Sequence, residues 1–101
     1  MNILPFRTIR AKYERLKPEG HWFDEGTMRF FKTKLPENGY ELASGWYFIT
    51  RETNPSGISR YSVRRLDDAG DIRTVGEFHS YTSAAAARAA IKQIEVLGAA
   101  A

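Results

Sequence analysis

The sequence predicts an α+β domain: an antiparallel sheet of three to four strands, a C-terminal helix packed on one face, and a short N-terminal helix. Three observations carry this. Period-two patterning runs through the middle of the chain up to Phe78. From Ser83 the apolar residues switch to helical spacing. Near the N-terminus Phe6, Ile9, Tyr13 and Leu16 recur at the same helical spacing. At 101 residues the chain is one domain with one modest core. It divides into an N-terminal helical segment at 1–20, a sheet at 27–78 and a helix at 82–97.

The first helix is expected over residues 5–17. Pro5 suits a first-turn position, and Pro18 with Gly20 ends the segment. Its outer face carries Arg7, Arg10, Lys12, Arg15 and Lys17 against Glu14. Such a face is either a solvated surface or a contact for a polyanion or an acidic protein. The following loop holds His21, Trp22 and Phe23. These aromatics either plug one end of the core or meet a partner, because Trp is enriched at binding hot spots.

A first strand is expected over residues 27–34, with Met28 and Phe30 opposite Arg29 and Phe31. Pro36-Glu37-Asn38-Gly39 reads as a turn. Residues 40–43 form a short strand or an irregular return, which Ser44-Gly45 breaks. Residues 46–51, Trp-Tyr-Phe-Ile-Thr-Arg, are aromatic and β-branched, so this strand is expected to be central and covered on both faces. Asn54-Pro55-Ser56-Gly57 turns the chain into Ser59–Leu66, which alternates Tyr61 and Val63 against Arg60, Ser62 and Arg64. Asp67-Asp68-Ala69-Gly70-Asp71 is turn chemistry, since Asp bonds nearby backbone. Residues 72–75 resume an extended pattern, and Gly76 permits a bulge before Phe78. The last helix is expected over 83–97, capped by Thr82 and ended by Gly98. Ala87, Ala90, Ile91, Ile94 and Leu97 make its buried stripe, of which Ala90, Ile91 and Ile94 are expected to pack against Trp46 or Phe48 and Tyr61 or Val63. Six alanines between Ala84 and Ala90 let it sit close to the sheet.

Composition narrows the function. There is no cysteine, hence no disulfide framework and no thiolate metal site. No apolar run resembles a signal peptide or approaches a membrane span, so a cytoplasmic location without membrane contact is expected. No Gly-rich phosphate loop or metal-ligand spacing is present. His21 and His79 lie far apart, and two histidines alone make a weak metal site. The reading is of a non-enzymatic protein with no catalytic residue, no metal, no cofactor and no small-molecule substrate. The net charge of +3 permits a polyanion partner.

The arginines are more informative. Between Met28 and Val75 there are eight Lys or Arg and six acids, and most of the acids fall in turns or at strand ends. Alternation puts Arg60, Ser62 and Arg64 on one strand face, to which the paired strand adds Arg73 if the register allows. With the helix on the other face, an arginine-rich sheet surface would be left in water. It would meet phosphates and base edges, or serve only solubility and edge protection.

Tyr61-Ser62-Val63-Arg64, the Asp-Gly turn, Val75-Gly76-Glu77-Phe78 and Tyr81-Thr82-Ser83 before an alanine-rich helix resemble the arm-type DNA-binding domains of tyrosine integrases and their plant transcription-factor relatives. The resemblance covers residues 46–97. It implies a three-stranded sheet in the major groove braced by the helix, with Arg51, Arg60, Arg64 and Arg73 facing DNA. The N-terminal helix and aromatic loop have no counterpart there. Met28-Arg29-Phe30-Phe31, Trp46-Tyr47-Phe48-Ile49-Thr50 and Arg60-Tyr61-Ser62-Val63-Arg64 are also similar to small phage and mobile-element proteins. That likeness covers most of the chain, carries no known activity and implies a mobile-element accessory protein. With the basic sheet face, the leading expectation is that it binds DNA or RNA through the sheet. The alternative it leaves is an inhibitor of a host protein or ribonucleoprotein complex, anti-CRISPR-like, docking through Arg10, Arg15, Trp22 and Phe23.

Overall fold

The structure, a computed structural model, describes residues 1–19 and 30–100. The elements are β1 (Asn2–Pro5), α1 (Phe6–Leu16), β2 (Lys32–Lys34), β3 (Asn38–Leu42), β4 (Gly45–Thr53), β5 (Ser59–Leu66), β6 (Ile72–Val75) and α2 (Ala84–Ala100). The strands form one antiparallel sheet in the order β1-β3-β4-β5-β6, with β2 paired to β4 beside β3. The fold is α+β with both helices where expected, and the sheet has more strands than the three to four predicted. The four-residue β1 carries no period-two signal of its own, and it becomes a strand only by pairing Asn2–Pro5 with residues 38–41 of β3.

Asn38-Gly39 does not turn the chain. Both residues lie in β3, opposite Pro5 and Leu4 on one side, and Gly39 faces Phe48 on the other. Gly39 is required by packing: a Cβ there would sit 1.8 Å from Ile9 Cδ1 of α1. The reversal comes later, at Ala43-Ser44, between the paired Leu42 and Gly45. The first expected strand shrinks to β2, since Phe30 and Phe31 are in irregular chain and residues 27–29 lie outside the described set.

β4 is central, as its aromatic and β-branched run requires, and it is buried on both faces. One face packs under α2. There Tyr40, Leu42, Tyr47, Ile49 and Val63 meet Ala87 and Ile91, with Tyr61, Val75, Tyr81, Ala90 and Ile94 around them. Trp46 and Phe48 point the other way, into a cluster with Ile9, Tyr13, Leu66, Phe6 and Ile72 under α1. The helix therefore docks on the odd-numbered residues of β4, not on Trp46 or Phe48. Leu97 is 60% exposed and lies outside the stripe. The cap of α2 is Ser83, whose Oγ accepts from Ala86 N at 3.1 Å. The helix runs through Gly98 without stopping.

The Asp-rich turn behaves as its composition dictates. Asp67 Oδ1 accepts the backbone N–H of Ala69 at 2.9 Å and of Asp71 at 3.0 Å. Gly70, at φ +88°, packs on Lys17 and Leu16 at the end of α1.

Candidate functional site

The register of β5 with β6 decides where the arginines go. Arg64 stands opposite Thr74, and Arg65 stands opposite Arg73. Arg73 therefore faces the α2 side together with Arg51, while Arg60 and Arg64 face the α1 side. The expected water-facing row of Arg60, Arg64 and Arg73 does not form.

Arg64 is 5% exposed and Glu52 is fully buried. Arg64 Nη2 lies 2.8 Å from Glu52 Oε1, and Arg64 Nε donates to Thr50 Oγ1 at 3.1 Å. Arg64 Nη1 donates to Thr74 Oγ1. Ser62 Oγ donates to Glu52 Oε2 at 3.1 Å and accepts from His79 N at 2.7 Å. His79, at φ +61°, holds its Nε2 3.0 Å from Glu52 O. Its ring stacks on Phe78, whose own ring lies 5.3 Å below the Arg64 guanidinium. Alternation located the face of Arg64 correctly and its exposure wrongly. A buried arginine survives only with paired charge and satisfied donors, and Glu52, Thr50 and Thr74 supply both. Thr33, paired with Glu52 across β2 and β4, has a buried Oγ1 with no hydrogen-bond partner among the described residues.

The other sequence-predicted residues are dispersed. Arg60 is half-buried and donates to Ser59 O at 2.9 Å. Arg73 is exposed and lies 3.5 Å from Asp67 Oδ2. The Asp67 carboxyl is held below the usual carboxylate range, first by the Asp71 N–H, then by the Ala69 N–H, Arg73 and Arg65, with burial opposing. Arg10 and Arg15 are exposed on α1, Arg10 within 3.3 Å of Glu14. Trp22, Phe23 and His21 lie outside the described residues. Among the described residues no group of three metal-ligating side chains assembles, and no helix is long and apolar enough to cross a membrane.

The cations that do converge are on the α2 side. Lys34 of β2, Arg51 of β4 and Arg88 of α2 line one groove of about 360 Å³ with Tyr40, Ile49, Tyr61, Ala84 and residues 35–38. Lys34 and Arg51 are direct cross-strand partners, and Arg51 is opposite Tyr61 on its other side. All three cations are exposed. The groove has a local cause. Between the pairs Lys34↔Arg51 and Gly39↔Phe48, the four residues 35–38 oppose only Ile49 and Thr50, so this segment bulges and forms one wall. The opposite wall is the first turn of α2, where alanines leave the space open. Glu37 is the single acid among the described lining residues.

Sequence reasoning named Arg51 here but missed Lys34 and Arg88. Arg88 carried a signal: it is the only charged residue in the alanine run from Ala84 to Ala90. Lys34 carried none, because its pairing with Arg51 depends on the bulge.

The chain is thus a small sheet domain with one helix on each face and a basic groove beside the second helix. It belongs to a family of unknown function, DUF7447, whose model matches residues 6–92. That span includes α1, every groove residue and the buried Glu52–Arg64 cluster. No curated protein and no solved structure matches the chain.

Proposed function

We propose that this protein binds nucleic acid, and that its contact surface is the groove of Lys34, Arg51 and Arg88. The observation that supports this is convergence: three exposed cations from three separate elements meet beside two tyrosines, with Glu37 as the one acid among the described lining residues. Phosphates are the polyanion that such a set neutralises. The reading is of a binding protein, with DNA or RNA as partner. In this reading Arg51 is a contact residue, and Arg60, Arg64 and Arg73 lie outside the groove.

Salt titration tests the proposal. Three phosphate contacts should give a log–log slope of affinity on salt of about −2 to −3. Changing Arg51 and Arg88 together to Ala should flatten that slope by about 1.5 and weaken binding to every sequence alike. Lack of binding to both duplex and single strands at low salt would discard the reading. The protein-target alternative, with Arg10 and Arg15 on α1, would then be the one to pursue.

A further inference from the structure

We infer that the groove takes single-stranded nucleic acid, seating one unpaired base in the pocket while neighbouring phosphates lie on Lys34, Arg51 and Arg88. This rests on the nucleic-acid reading above and adds the form of the ligand.

Shape carries the first part. Duplex DNA is read by convex elements, a helix or a two-stranded ribbon that enters its major groove. Here the cations line a concavity. Its floor is the sheet at Tyr40 and Ile49, and its walls are residues 35–38 and the first turn of α2. A duplex presents its own convex backbone to such a hollow, with its bases stacked inside and out of reach. An unpaired base can project into it. The volume, about 360 Å³, falls at the small end of pockets that enclose compact organic ligands.

The lining carries the second part. Tyr61 is half-buried, so one part of its ring is fixed in the core while the rest walls the pocket. A ring held in that way is a stacking platform that needs no ordering on binding. Stacking on aromatic rings beside a positive track is how single strands are held without sequence preference. Arg51 lies directly across the strand pair from Tyr61, so a phosphate and its base can be met by adjacent side chains. Exposed Glu37 and Asn38 on the opposite wall offer hydrogen-bonding groups to a base edge.

The test is fluorescence anisotropy with a labelled oligothymidylate of about twelve nucleotides, within the usual site size, and a duplex of equal length at the same salt. The single strand should bind at least about tenfold more tightly than the duplex. Tyr61→Leu should weaken single-strand binding by about 5- to 150-fold, the range for one stacked base. Because Tyr61 borders the core, Arg88→Ala serves as a second variant at an exposed helical site. It should weaken single-strand binding, whereas Arg73→Ala, outside the groove, should not. Tighter binding of the duplex, lost in the Arg51→Ala/Arg88→Ala variant, would overturn this inference and leave the nucleic-acid reading standing. Single-strand binding indifferent to Arg88→Ala would overturn it by moving the site elsewhere. Failure of both probes to bind would remove both.

Discussion

The two faces of this sheet differ in what they bury. On the α2 side, Tyr47, Ile49 and Val63 pack on Ala87 and Ile91, and the described core there is built of aliphatic and tyrosine side chains without a buried charge. On the α1 side only the half beneath the helix is apolar, around Phe48, Ile9 and Leu66. The other half is a buried polar cluster of Thr50, Glu52, Ser62 and Arg64, closed over by the Phe78-His79 loop. The contrast separates two things that alternation merges. Polarity on one face of a strand reports which side a residue takes. It does not report whether water is there.

The largest effect expected from breaking the comparison is on the polar half. Glu52→Ala leaves the Arg64 charge buried without its partner and should cost about 3–5 kcal/mol in chemical denaturation. A loss below about 1 kcal/mol would mean that the cluster is wet and the two faces less different than described.

On the apolar side the cost should track burial. Ile91 is fully buried, so Ile91→Ala should cost about 2–5 kcal/mol. Leu97→Ala, on the same helix but 60% exposed, should stay within about 0.5 kcal/mol. Equal costs at the two positions would place the docking stripe of α2 elsewhere.

A smaller effect probes how tightly α1 sits. Gly39→Ala puts a methyl against Ile9 Cδ1 and should cost roughly 1–3 kcal/mol. Ile9→Val removes the clashing atom, so the double variant should be more stable than the sum of the singles. Simple additivity in that cycle would show that the two residues do not touch.

The smallest effect is electrostatic and lies outside both cores, at the β5–β6 turn. The Asp67 carboxyl is depressed in the folded chain, so the unfolded chain takes up its proton first as pH falls. Its contribution is fully present above the ordinary carboxylate range and fades below about pH 5. Asp67→Asn keeps the acceptor oxygen for Ala69 and Asp71 but removes the titration. Its stability should therefore fall less steeply with acid than that of the unchanged protein, as read by thermal unfolding between neutral pH and pH about 3.

The elements with a strong period were legible from sequence, and the sites that depend on register were not. Helix α1 follows from Phe6, Ile9 and Tyr13, and β4 from its unbroken aromatic and β-branched run. Helix α2 was legible to within a residue at its start. Its end was not, because a lone Gly98 costs only about 1 kcal/mol in a helix and need not stop one. Asn38-Gly39 misled because Gly was needed for contact with Ile9, not for a turn. Arg64 misled because its partner Glu52 sits twelve residues away on another strand, and only the pairing Thr50↔Ser62 brings them together. Arg73 changed sides because the five-residue Asp-rich turn fixed the register at Arg65.

The topology also sets an order of assembly. Strands β4, β5 and β6 follow one another through short turns, so each pairing closes a small loop. Strand β1 is made first and pairs across at least 33 residues, from Pro5 to Asn38. Closing that long loop costs more chain entropy and is rewarded only once β3 is in place. The meander should therefore form the nucleus, and the N-terminal arm should dock after the rate-limiting step. Kinetically, Val63→Ala should slow refolding, while Leu4→Ala should chiefly speed unfolding, with a φ-value near zero. A φ-value near one at Leu4 would reverse that order and make the arm a template for the sheet.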